Sequence, residues 1–381
     1  MLYTCEKGGG AGVIKVIEVS SDTNIGGAGK CLLTLLENFD YTKFEVKVIL
    51  PQNSLLKEHI ERLKIPVIEV AGIADKSLDF KAISALKKVF KSEKPDIVHT
   101  HASMSAKIAA RFSGAKVIYT RHSVFPQSPK ITKGIGKAVN GAVNNYFSDG
   151  VIAVAEAAKD NLTETGISEK KIRVILNGVD ALEKRSSKEI KDLKKRFGVT
   201  NEKVVSIVAR LEDIKGHMYF IEAADMLLKK GVNAKFFIAG TGSYADTLKA
   251  KVKELNREKD IIFTGFIKDV ESLMAITDIQ VNASYGTEAT SLALLEGMSL
   301  GIPAVVSDFG GNPGVIANGE NGFIVPQKNA AAIAEKVGLL INDAGLYKTM
   351  SENSAKIFNE KFTSAIMTRN TESMYEYVLR R

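Results

Sequence analysis

Short apolar runs rich in valine, isoleucine and phenylalanine recur along the chain. Most are separated by stretches whose apolar residues return every third or fourth position. A first series lies at 13–19 (VIKVIEV), 45–50 (EVKVIL), 67–70 (VIEV), 96–99 (DIVH), 116–120 (KVIYT), 150–155 (GVIAVA) and 172–176 (IRVIL). A second lies at 203–209 (KVVSIVA), 235–239 (KFFIA), 261–264 (IIFT), 278–282 (DIQVN), 303–306 (PAVV) and 322–325 (GFIV). Runs this short read as buried strands, and the texture between them, as in Leu32, Leu33, Leu35, Leu36 and Phe39, reads as helix. Strands alternating with helices imply parallel sheets joined by crossover helices. The two series are parted near 177–200 by the turn-rich Asn177-Gly178-Val179-Asp180 and then by a strongly charged stretch that suits a surface helix. A chain of 381 residues also exceeds what one core usually supports. The pattern therefore predicts an α/β chain of two doubly wound, Rossmann-like parallel-sheet domains at 13–182 and 183–361, after a loose leader at 1–12.

Composition narrows the class. Hydrophobic residues make up 45% and charged residues 25%, and no apolar run approaches twenty residues, which points to a cytoplasmic globular protein without a transmembrane helix. The leader lacks the basic start and apolar core of a signal peptide. Cys5 and Cys31 make neither a disulfide framework nor a metal-ligand spacing. The net charge is +8, and residues 1–180 hold 25 Lys+Arg against 19 Asp+Glu. Between Asp96 and Asp149 there is no acid at all, while Lys107, Arg111, Lys116, Arg121, Lys130, Lys133 and Lys137 fall there with His99, His101 and His122. Such a field attracts anions, although scattered lysines also serve as an ordinary solvated face. Few aromatics and no nucleic-acid motif accompany it, which argues against nucleic acid.

Several segments carry candidate chemistry. Gly26 and Gly27 follow the first strand and open a helix, where backbone can approach an anion; a tight turn explains them nearly as well. Arg210 and Lys215 lie five apart in a loop after a strand, a spacing that suits a diphosphate clamp or simply exposed charge. Glu288 and Glu296 flank the stretch ATSLALL. A helix beginning near Thr290 would offer free N–H groups at Thr290, Ser291 and Leu292 to a phosphate, leave Glu288 on the preceding loop for sugar hydroxyls, and put Glu296 two turns on, where it suits a ribose diol. His99 and His101 alternate on a strand end and share a face, but no further ligands for a metal lie nearby in sequence. There is no Asp-x-Asp, so no metal or other cofactor is expected. Ile131, Ile135, Val139, Val143 and Phe147 repeat every fourth residue. That stripe is expected to enter the domain core; with Lys130, Lys133 and Lys137 on other faces, the same helix suits an anionic leaflet.

Taken together these residues resemble the retaining glycosyltransferases of family 4 (glycosyl transferases group 1), which have the GT-B fold. The likeness runs from about Val13 to the C-terminus. It rests on Gly26-Gly27, His122 after YTR, Asn177-Gly178-Val179-Asp180, Arg210 with Lys215-Gly216, the Glu288-x7-Glu296 spacing, and Gly310-Gly311 followed by Asn321-Gly322. The resemblance implies a deep interdomain cleft and a C-terminal segment, 362–381, that crosses back to the first domain. It implies that Arg210 and Lys215 hold the donor diphosphate, Glu288 the sugar and Glu296 the ribose, with His122 beside the transferred sugar. The donor would be a UDP- or GDP-sugar, and the acceptor a glycan or lipid-linked molecule, with a peripheral contact to anionic membrane at the inner face. Gly314 and Gly297 depart from the family's acid and alanine at those places. Alternatives of other classes are a nucleotide-sugar 2-epimerase of the same architecture and a non-catalytic polyanion-binding protein.

Overall fold

The computed structural model describes residues 12–73, 78–101, 103–267 and 269–381. The proposed leader lies, except for Gly12, outside the described residues. Two wholly parallel sheets form. The first contains β1 (Ile14–Ser20), β2 (Phe44–Leu50), β3 (Val67–Glu69), β4 (Ile97–His101), β5 (Lys116–Arg121), β6 (Gly150–Ala153) and β7 (Ile172–Val174), in the order β3-β2-β1-β4-β5-β6-β7. The second contains β8 (Lys203–Val208), β9 (Ala234–Ala239), β10 (Ile261–Gly265), β11 (Ile279–Asn282), β12 (Ala304–Ser307) and β13 (Gly322–Val325), in the order β10-β9-β8-β11-β12-β13. Each expected run contributes one strand. The strand order reverses once in each sheet, between β1 and β4 and between β8 and β11. Open α/β sheets bind ligands at the carboxyl edge beside such a switch point.

The strands are apolar throughout because helices cover both faces of each sheet. In the first unit Leu32, Leu35 and Leu36 pack with Val16, Val46 and Val48, and the helix Ser364–Leu379 completes that core with Met374, Tyr375 and Val378. The last helix thus lies against the first sheet. The strand-like bridge between Val179 and Thr363 marks the crossing. The charged stretch after Asp180 folds as Ser187–Arg196, an exposed helix started by a capping box between Ser186 and Glu189. Among the described residues no helix is long and apolar enough to cross a membrane.

One expectation fails. The stripe at 131–147 does not enter the core. The segment splits into Pro129–Thr132 and Gly134–Tyr146, and Ile135 and Val139 are 84% and 56% exposed, with Val143 and Tyr146 exposed beside them. The longer helix docks through its other face. A Cβ on Gly141 would stand 2.3 Å from the Gly166 carbonyl oxygen, so only glycine permits that approach. Asn140 and Asn145 donate to the carbonyls of Thr165 and Gly166. Hydrogen bonding and close backbone contact set the orientation, leaving the apolar stripe outward.

Candidate active site

At the first sheet's carboxyl edge β1 runs into the loop that ends at Gly26, the cap of the helix Gly27–Asn38. Gly26 has φ −92, and neither Gly26 nor Gly27 would bring a Cβ within 4 Å of anything. These glycines therefore leave open space above a helix N-terminus rather than permit a strained turn.

The β1–β4 register sets Glu18 beside His99. Glu18 is wholly buried and accepts from the Tyr375 hydroxyl at 2.6 Å and from His101 Nε2 at 2.9 Å. His99 Nδ1 lies 2.6 Å from the Tyr375 hydroxyl, and His99 Nε2 lies 2.6 Å from Thr120 Oγ1. With its Nε2–H on the carboxylate, His101 presents Nδ1 as an acceptor, 2.7 Å from His122 Nε2. His122 then donates Nε2–H and keeps a lone pair on Nδ1, an atom closed to solvent and without a hydrogen-bond partner among the described residues. Burial by itself would raise the Glu18 carboxyl, but attraction to His99 and hydrogen bonds from His101 and His99 hold it well below the usual carboxylate range. Burial pushes the His99 and His122 imidazoles down, so the neutral forms are favoured. Glu18, His99 and His101 also bring potential ligand atoms within 4.8 Å of one another, a spacing a metal ion can use. Those atoms are already engaged with one another and with Tyr375, so an ion would have to displace that network.

At the second sheet's edge, Arg210 follows β8 and is exposed, with no ion pair among the described residues. The turn Asp213–Lys215 ends at Gly216, φ 72, where a Cβ would stand 2.1 Å from the Ala283 carbonyl oxygen. That close packing carries Lys215 to the end of β11. Its Nζ lies 3.0 Å from Glu288 Oε2 and 2.8 Å from the Thr287 carbonyl. Ser284 and Asn282 also donate to Glu288. Gly310 and Gly311 lie directly on the carbonyls of Glu288 and Ala289, which explains this glycine pair. The next helix spans Leu292–Ser299, two residues later than expected, because Ser291 caps it by accepting from the Leu294 N–H. Thr290 sits outside the helix, and its hydroxyl donates to the Val154 carbonyl of the first unit. At Gly297 a Cβ would meet the Gln280 side chain at 2.1 Å, so Gln280 fills the space an alanine methyl would need.

The two edges face each other. Lys30, from the helix that Gly26 starts, approaches Glu296 at 3.8 Å. Burial raises the Glu296 carboxyl and Lys30 opposes that rise. The structure thus joins Lys215 with Glu288, keeps Arg210 on the same loop, and sets Gly26, Gly27 and His122 on the opposite edge. Sequence reasoning missed Glu18, Tyr375, Ser284 and Asn282. Glu18 carried a signal, since it is the one acid inside the run VIKVIEV; Tyr375 carried none.

Residues 168–357 match the family described as Glycosyl transferases group 1, and residues 25–182 match Glycosyltransferase Family 4. The chain is 26% identical over 313 residues to N-acetyl-alpha-D-glucosaminyl L-malate synthase of Bacillus anthracis, covering 79% of this chain and 80% of that protein. It is 28% identical over 362 residues to the UDP-Gal:alpha-D-GlcNAc-diphosphoundecaprenol alpha-1,3-galactosyltransferase of Escherichia coli, covering 89% and 91%. The structure of Anabaena HepE in complex with UDP superposes with a TM-score of 0.84 at 22% identity, over 96% of this chain and 100% of that one.

Proposed function

The chain belongs to the family 4, group 1 glycosyltransferases of the GT-B fold, and from that premise we propose that it is a retaining, metal-independent hexosyltransferase using a UDP- or GDP-sugar. The observation that carries the donor assignment is the second edge itself. Two cations, Arg210 and Lys215, stand on one loop, Lys215 against Glu288, beside the start of the Leu292–Ser299 helix. A departing diphosphate meets fixed positive charge there from both side chains and from the N–H groups of Leu292 and Ala293. Glu288 accepts from sugar hydroxyls, and Glu296 from the ribose. The UDP in the name of the E. coli relative and in the Anabaena complex favours uridine.

On the facing edge, Glu18 and His101 fix which nitrogen of His122 carries the proton. His122 stands at that edge beside the sugar in transit, its ring held in place by this chain of hydrogen bonds. No carboxylate is assigned as a nucleophile. The acceptor oxygen attacks the anomeric carbon on the face the diphosphate leaves, its proton passes to the departing phosphate oxygen, and configuration is retained.

The names of the two relatives suggest acceptors that bear carboxylates or a lipid diphosphate. The outward stripe Ile135, Val139 and Val143, flanked by Lys130, Lys133 and Lys137, supports a lipid-linked acceptor met at an anionic membrane surface. The deciding experiment incubates the chain with UDP-sugars and lipid-diphosphate glycans. The expected result is UDP release coupled to an α-linked product from an α-linked donor, read by anomeric NMR couplings. A β-linked product, or a free epimerised sugar nucleotide without acceptor consumption, overturns the proposal.

A further inference from the structure

A cavity of about 240 Å³ opens on the other face of the first sheet, lined among others by Lys107, Tyr119, Arg121, Gln127, Asn140 and Asn144. Side chains alternate along β5. Thr120 and His122 therefore face the histidine network, while Tyr119 and Arg121 face this cavity. Arg121 and His122 are neighbours at the strand's carboxyl edge, so the cavity begins where the transfer site ends.

Its charge is unbalanced. Lys107 is 3% exposed. Its ammonium donates to Asn144 Oδ1 at 2.7 Å and lies 4.4 Å from the centre of the Tyr119 ring. Arg121 donates to the Ser123 carbonyl and stacks over Phe125. Neither cation has a carboxylate partner among the described residues. Of the two acids that bracket this stretch of chain, Asp149 is taken by Arg111 at 3.2 Å and Asp96 accepts from the Lys15 N–H. Buried cations are normally paired, and a lysine kept only for its stem would be more stable as an apolar residue.

Resting on the transferase reading above, we propose that this cavity is a phosphate subsite for the acceptor, in which Lys107 and Arg121 hold phosphate oxyanions and Asn140 and Asn144 complete the polar wall. Its volume is below the roughly 300–1,000 Å³ of pockets that enclose a drug-sized ligand, so it takes a phosphate or diphosphate rather than a whole substrate. The Gly134–Tyr146 helix supplies Asn140 and Asn144 to the cavity and turns Ile135 and Val139 outward. A phosphate seated here therefore lies between that apolar face and the edge carrying His122. Burial, and then Arg121, draw the Lys107 ammonium down to about 8. Around it stand Arg121 from β5, Tyr119, and the uncharged Asn140 and Asn144, so among the described residues nothing but the bound anion supplies a counter-charge. Phosphate affinity falls as pH rises through about 8 and Lys107 loses its proton.

The test is calorimetric titration of pyrophosphate into the full chain already saturated with UDP. UDP binding, measured first on the same sample, tests the donor assignment separately. A residual pyrophosphate site is expected, weakened about tenfold or more in Lys107→Met and in Asn144→Asp, as loss of a charge-assisted contact implies. Asn144→Asp keeps the lysine and gives it an internal counter-ion, so loss of binding with an unchanged or raised Tm separates occupancy from misfolding. Sedimentation with phosphatidylglycerol vesicles distinguishes the source. Weaker vesicle binding by Lys107→Met supports a lipid phosphate, and unchanged vesicle binding supports the phosphate of a soluble acceptor. Absence of the residual site, or unchanged pyrophosphate affinity in both variants, overturns the proposal.

Discussion

Lys215 and Glu288 meet with side chains only 12% and 9% exposed, so removing either leaves the other buried and uncompensated. Arg210 is exposed and has no such structural tie. Arg210→Ala should therefore lower kcat by about 10²-fold or more with Tm unchanged, the range for removing one donor to a developing negative charge. Lys215→Ala should lower both. A normal kcat in Arg210→Ala would remove it from the donor site. Glu18→Gln should reduce kcat and shift the acid limb of its pH profile while leaving KM for the donor unchanged, because it acts through the tautomer of His101 and His122. An equal fall in Tm with an unshifted profile would make its role structural. Excess EDTA should leave initial rates unaltered; a rate restored by added Zn²⁺ or Mg²⁺ would instead place an ion among Glu18, His99 and His101. At this scale the sequence showed residue types and spacings but not partners. Glu288 and Lys215 are 73 positions apart, and Tyr375 reaches Glu18 across 357.

Elements were more legible than their orientation. Every short apolar run lies on a strand because a strand covered on both faces must be apolar throughout, a pattern that survives without knowledge of its neighbours. The Gly134–Tyr146 helix shows the limit. A period of four reveals an amphipathic helix but not which face is inward, and here glycine and asparagine fit the neighbouring backbone better than the valines do. The outward face yields a prediction. With vesicles rich in anionic lipid, the protein should sediment at low salt and be released as salt rises, since each nearby lysine contributes about 1 kcal/mol of screened attraction. Ile135→Ser with Val139→Ser should weaken binding at every salt concentration, whereas Lys130, Lys133 and Lys137 changed to Glu should abolish chiefly the salt-sensitive part. Wild-type protein left in the supernatant at low salt would assign the stripe to another protein surface.

Across the whole molecule, burial acts in one direction on His99 and His122 in the first unit and on His217 in the second. His217, 1% exposed at the start of the His217–Lys229 helix, has neither ring nitrogen hydrogen-bonded among the described residues, and burial followed by Lys215 draws its imidazole from 6.5 to about 4. Burial also lowers His99 and His122. For a group depressed in the folded state, the unfolded chain binds more protons between the two pKa values, so stability is complete above 6.5 and declines as pH falls toward 4. His217 alone should cost about 2 kcal/mol by pH 5, since stability falls by about 1.4 kcal/mol for each pH unit in which only the unfolded chain is protonated. Glu18, held low, adds its own loss only at more acid pH, below the ordinary carboxylate value. Urea denaturation at pH 7 and pH 5 should thus show a lower midpoint at pH 5 for the unit built on the second sheet. His217→Leu, which removes the titrating group, should flatten that unit's response while leaving the first unit's acid sensitivity intact. If the variant follows the wild-type slope in both units, His217 is not buried in its neutral form.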